Sequence, residues 1–175
     1  MSGHNKWSKI KRQKEQTDGQ KSKLYGKMVR IISVEIKKAG GNADSPGVRA
    51  AIEKAKTANV PSDNIERAIK KGSEPSENLE SLSYEAYGPG GCAIIIETLT
   101  SNRNKAAQEI KHILSEHALS LAGIGAVTWA FEKKDGEWIP NTTVDLSEED
   151  GNKLSKLLDN LEENDEVQEV FTNAN

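Results

Sequence analysis

Hydrophobic residues recur at helical spacing up to residue 72 and alternate with polar ones beyond residue 80. Leu24, Met28, Ile32 and Ile36 stand four apart, with Tyr25 and Val29 beside them, and predict a helix over about 21–39. Gly40-Gly41 stops it. Ser45-Pro46 reads as an N-cap followed by a proline at the first helical position. Val48, Ile52 and Ala55 form the stripe of this second helix, which ends before Val60-Pro61 because the residue preceding proline avoids helical angles. Ile65, Ala68 and Ile69 stripe a third helix that runs to Lys71, with Gly72 as its cap. Residues 21–72 are therefore expected to form a small three-helix domain. A polar linker over 73–80 separates it from a second domain.

From 81 to 175 the pattern predicts strands mixed with helices. Leu82, Tyr84 and Ala86 alternate with Ser83, Glu85 and Tyr87, and Gly88-Pro89-Gly90-Gly91 turns the chain. Ala93-Ile94-Ile95-Ile96 lies in a continuous apolar run that suits a central strand buried on both faces. A helix over about 104–117 places Ala106, Ile110, Ile113 and Leu114 inward. Val127, Trp129 and Phe131 then alternate with Ala126, Thr128 and Ala130 as a strand, and Asp135-Gly136 is a two-residue hairpin signal. The return strand spans 137–144, with Pro140 marking an edge or a bulge. Ser147-Glu148-Glu149-Asp150 opens a helix lined by Leu154, Leu157, Leu158 and Leu161, and 167–171 is a last strand. The expected class is α+β. The order from Cys92 onward is β-α-β-β-α-β, a ferredoxin-like arrangement with an extra strand at 82–87.

Charge divides along the same boundary. Residues 1–72 carry 17 Lys+Arg against 7 Asp+Glu, and residues 73–175 carry 7 against 20, so the net charge of −3 hides two unlike halves. A basic half on a small protein is the electrostatic footprint of a polyanion binder. The densest stretch is a polar arm over 1–20, expected to be flexible, with Lys6, Lys9, Lys11, Arg12 and Lys14, continued by Lys21 and Lys23. Each phosphate such residues touch releases counterions, which makes binding salt-dependent. Trp7 has two readings: it stacks on an unpaired base, or it pins the arm to the helical domain. Lys27 and Arg30 share the polar face of the first helix with Lys23. Arg67, Lys70 and Lys71 end the third helix, where cations complement the dipole and can also extend a phosphate-binding patch. No pair of Asn, Gln or Arg stands out as a base-reading set, which favours backbone or shape recognition.

The loop formed by Tyr87, Gly88, Pro89, Gly90 and Gly91 precedes a strand, so it lacks the helix N-terminus of a phosphate cradle. It is a candidate contact loop, with Asn102, Arg103 and Asn104 expected near it; Asn102 also fits a helix cap. No catalytic residue, metal site or cofactor is expected. Cys92 heads an apolar strand and reads as a small core thiol. His112 and His117 point about 140° apart on their helix. There is no CxxC, HExxH or P-loop. The lone cysteine and the lack of a long apolar run fit a cytoplasmic protein that does not use a membrane, and no small-molecule substrate is expected.

Several stretches together resemble the YebC family, which includes the mitochondrial translational activator of cytochrome c oxidase. They are Gly3-His4-Asn5-Lys6-Trp7, Arg49-Ala50-Ala51-Ile52-Glu53-Lys54-Ala55, and Ile65-Glu66-Arg67-Ala68-Ile69-Lys70-Lys71-Gly72. Further on come Tyr84-Glu85-Ala86-Tyr87-Gly88-Pro89-Gly90-Gly91, Thr100-Ser101-Asn102-Arg103-Asn104, and Leu161-Glu162-Glu163 through Thr172-Asn173. The family usually carries a further α/β domain inserted after the strand that ends here at Lys134. Asp135-Gly136 closes a hairpin at that point, so the chain looks like a short form. The resemblance implies a non-enzymatic role linked to nucleic acid. Members are commonly classed as DNA-binding transcriptional regulators, and others look like ribosome-associated translation activators. The partners it implies are DNA or ribosomal RNA, with a ribosome or polymerase as the surrounding assembly. A protein–protein adaptor is the remaining alternative.

Overall fold

The computed structural model describes residues 18–73 and 79–175. Two compact units divide between Leu79 and Glu80. The first holds α1 (Asp18–Lys38), α2 (Pro46–Thr57) and α3 (Ser62–Ser73). Helix α1 takes in residues 18–20, which the sequence pattern assigns to the arm. A helix nucleated by a buried stripe extends through polar residues at little cost. Ser45 caps α2 by accepting from the Val48 N–H, with Pro46 directly after it. Ile32 and Ile36 of α1, Val48, Ala51 and Ala55 of α2, and Ile65 and Ala68 of α3 form the core.

Gly72 is not the cap of α3. It lies inside the helix and is buried, and a Cβ there would meet the Ser33 carbonyl oxygen at 2.7 Å and the Ile36 Cβ at 2.9 Å. Nearby, the Ser33 hydroxyl donates to the Ala68 carbonyl at 3.1 Å. The glycine is thus what lets α1 and α3 touch. Gly72→Ala should lower stability by about 1–2 kcal/mol, because overpacking against backbone exceeds the gain in helix propensity. Urea unfolding followed by far-ultraviolet circular dichroism measures it. An unchanged or raised midpoint would show that the two helices are not held this close in solution.

The second unit contains β1 (Glu80–Tyr87), β2 (Ala93–Thr100), α4 (Arg103–Glu116), β3 (Phe131–Lys134), β4 (Glu137–Pro140), α5 (Glu148–Glu163) and β5 (Val167–Thr172). The α+β class and the element order stand, but the sheet is not ferredoxin-like. Strands β1-β2-β5 form one antiparallel sheet, and β3-β4 forms a separate hairpin. The preceding strand β1 pairs along the whole length of β2, from Glu80↔Thr100 to Tyr87↔Ala93, and β5 takes the other edge. No edge of β2 is left for the hairpin, which packs on a face instead. Ile94 and Ile96 point toward Ile110, Leu114, Leu154, Leu157 and Leu161 of the two helices. Ala93 and Ile95 point the other way, toward Val127, Ala130 and Phe131. Burial from both sides accounts for the unbroken apolar run in β2. Trp138 of the hairpin meets Phe131 edge-on and donates its indole N–H to Glu97 on β2 at 2.6 Å.

Two predicted strands are shorter than their patterns. Residues 128–130 form a 3₁₀ turn, so β3 begins only at Phe131. The return strand ends at Pro140, and Val144 keeps only a single bridge to Ala174.

Candidate nucleic-acid interface

Lys6, Trp7, Lys9, Lys11, Arg12 and Lys14 lie outside the described residues. The remaining basic candidates sit on α1 and α3. Lys21 and Lys23 are exposed and Lys27 and Arg30 half-buried on α1, while Arg67, Lys70 and Lys71 are exposed on α3. Ser33–Ala68 and Ile36–Gly72 contacts near one end, and shared lining of a groove by residues 22–29 and 64–67 at the other, show that α1 and α3 run side by side in the same direction. The two sets of cations therefore belong to one pair of neighbouring helices.

The glycine loop behaves as a turn. Gly90 and Gly91 have φ of 67° and 75°, a left-handed backbone that side chains other than glycine rarely adopt. Asn102, Arg103 and Asn104 are not near it. The loop joins β1 to β2 at one end of the hairpin, and residues 102–104 come after β2 at the other, eight residues along an antiparallel pair. Asn102 caps α4 by accepting from the Lys105 N–H at 3.1 Å, and the Arg103 guanidinium is paired with Glu80 at 2.8 Å.

What the loop does adjoin is a surface that the sequence pattern misses. Glu85 on β1 is buried, and its carboxylate accepts from the backbone N–H groups of Gly125 at 2.7 Å, Val127 at 2.8 Å and Thr128 at 3.3 Å. These donors cannot then enter a strand ladder, which is why the predicted alternation fails at 128–130. Ala130 turns inward and Trp129 outward, 61% exposed. The Tyr87 hydroxyl and the Trp129 indole N–H both donate to the Ala126 carbonyl, at 2.6 and 2.8 Å. Ile124, on the same loop, is fully exposed. Among the described residues these three are the exposed large hydrophobic side chains. The one hint in the sequence is Gly123-Ile124-Gly125, a large apolar residue set between two glycines.

Cys92 is fully buried. Burial pushes its thiol above the ordinary range, and hydrogen bonding with Thr172 and with backbone at Gly88 opposes this only in part. Such a thiol packs rather than attacks. His112 faces Glu116 at 3.6 Å and His117 meets Asn160 at 2.9 Å, so the two rings have separate partners. Among the described residues no group of three His, Cys, Asp or Glu could hold a metal ion, and no helix is long and apolar enough to cross a membrane.

The TACO1/YebC protein N-terminal domain matches residues 5–75, and the TACO1/YebC second and third domain matches residues 79–136 and 134–174. The second match is broken at the tip of the β3-β4 hairpin. A protein of Desulforamulus reducens named probable transcriptional regulatory protein is 36% identical over 240 residues, covering 99% of this chain and 98% of that one. That alignment is longer than the 175 residues of this chain, so the relative has residues with no counterpart in it. A protein of the same name from Pseudothermotoga lettingae is 48% identical over 152 residues, covering 85% of this chain and 60% of that one. A crystal structure of a conserved hypothetical protein from Aquifex aeolicus superimposes with a TM-score of 0.80 at 31% identity, over 90% of this chain and 91% of that one.

Proposed function

Since the chain belongs to the TACO1/YebC family, we propose that it is a non-enzymatic, nucleic-acid-binding regulator of gene expression. The observation that carries this reading is the division of charge, with 17 Lys+Arg against 7 Asp+Glu in residues 1–72 and the reverse imbalance beyond. The basic half holds phosphate groups through the arm and the cations of α1 and α3. The acidic half is repelled by the same polyanion, which orients the molecule on it. The names of the relatives, probable transcriptional regulatory protein, support a regulatory role, with DNA as the corresponding target.

A second reading, a translation activator that binds ribosomal RNA, is favoured by the exposed Tyr87, Ile124 and Trp129 beside the glycine loop. Aromatic side chains of this kind stack on unpaired bases, which folded RNA supplies and duplex DNA does not. The experiment is ultraviolet crosslinking of the full chain in its native cell, with sequencing of the DNA and RNA recovered. Enriched promoter DNA supports the transcriptional reading, and ribosomal RNA enriched at discrete positions supports the translational one. Recovery no greater than for a chain lacking the arm would overturn both in favour of a protein adaptor.

A further inference from the structure

The N-terminal parts of α1 and α3 border a groove of about 360 Å³, lined by Ser22, Tyr25, Gly26, Val29, Asn64 and Arg67. Resting on the nucleic-acid reading above, we propose that this groove receives a single nucleobase turned out of its strand. Gly26 opens it: a Cβ at that position would have nothing within 4 Å, so at this one point the groove reaches the α1 backbone. Tyr25 and Val29 supply an apolar wall, each half-buried against the helical core. Opposite them stand Asn64 and Arg67, spaced i, i+3 and hence on one face of α3. Neither side chain makes a hydrogen bond or ion pair within the described residues, so both can serve a ligand.

The pairing of functions fits a nucleotide. A planar base fills an apolar slot beside a tyrosine ring, where stacking does not depend on sequence. The Asn64 amide offers one donor and one acceptor group to the base edge, the combination that suits an adenine. Arg67 presents a planar fork to the phosphate of the same nucleotide, and Lys71, one turn further on the same face, lies along the path of the next. An apolar peptide side chain would use the wall but leave Asn64 and Arg67 without a role.

The test uses the full chain and two RNA hairpins, one carrying a single bulged 2-aminopurine and one with that base paired. The bulged hairpin should bind about tenfold more tightly, as expected for one stacked base, and its fluorescence should change on binding. Gly26→Leu fills the groove with a residue that favours helix, so circular dichroism should show the fold retained. In that variant the preference should fall to within about twofold while both hairpins still bind through phosphate contacts. Tyr25→Leu should reduce the preference without removing the fluorescence change completely. Deoxy versions of both hairpins, run in parallel, separate RNA from DNA as the source of the base. Equal binding of the two hairpins by the unaltered chain, or a preference that survives in folded Gly26→Leu, overturns the groove assignment and leaves general nucleic-acid binding intact. Binding of neither hairpin nor its deoxy version overturns the broader reading as well.

Discussion

Glu85→Ala should unlock the loop that carries the exposed aromatic surface and cost the acidic unit about 3–4 kcal/mol. The alanine removes an acceptor that serves three backbone N–H groups at 2.7, 2.8 and 3.3 Å. Gly125 is exposed and its amide can turn to water, whereas Val127 is fully buried and its amide cannot without local opening. The largest part of the loss therefore falls on Val127. Glu85→Gln keeps one acceptor oxygen but turns an NH₂ toward the same donors, and should cost about half as much. Hydrogen exchange at the Val127 amide, with urea unfolding followed through Trp138 fluorescence in a Trp7→Phe, Trp129→Phe background, separates loop release from global loss. Undiminished protection of Val127 in Glu85→Ala would mean the carboxylate does not hold the loop. If it does, Tyr87 and Trp129 lose their shared anchor at the Ala126 carbonyl, and any stacking partner would have to order them on binding.

Much of this architecture is legible in the sequence because burial is local in a helix stripe. Leu154, Leu157, Leu158 and Leu161 all point into the core as their spacing requires, and Ala106, Ile110 and Leu114 do the same on α4. The hairpin at Asp135-Gly136 forms as its turn chemistry dictates, with Asp135 at φ 52° and Gly136 at 86°. The features that escape the sequence depend on partners distant along it. The pattern of β2 says that both its faces are buried, but it does not say which strand lies beside it. The alternation around Trp129 is broken by a carboxylate more than forty residues away in the chain, at Glu85. Gly72 reads as a cap from its place after two lysines, and only the approach of Ser33 from another helix gives it a different task. The groove has the same origin: Gly26 and Asn64 are ordinary residues in their own helices and meet only when α1 and α3 pack.

Neutralising the basic tract should produce the largest functional effect, and its size depends on which cations touch phosphate. Changing Lys9, Lys11, Arg12 and Lys14 to Gln should flatten the slope of log affinity against log salt by about 3–4 units if each makes one contact, with a loss on the order of a thousandfold near physiological ionic strength. Arg67, Lys70 and Lys71 to Gln should remove about 2–3 units and on the order of a hundredfold. These three are exposed on α3, so their loss should leave the fold intact. Lys153 and Lys156, exposed on α5 of the acidic unit, provide the control: changing both to Gln alters net charge without touching the tract, and the slope should stay as it was. A slope that falls equally in the control would mean the long-range field of the molecule, not contact, drives binding. If the arm and α3 follow one phosphate track, the two losses add in the combined variant. If they compete for the same phosphates, the combined loss falls short of the sum, because either set then substitutes for the other. An unchanged slope in both sets would remove the reason for a basic half facing nucleic acid, and would turn the charge division into a device for meeting an acidic protein.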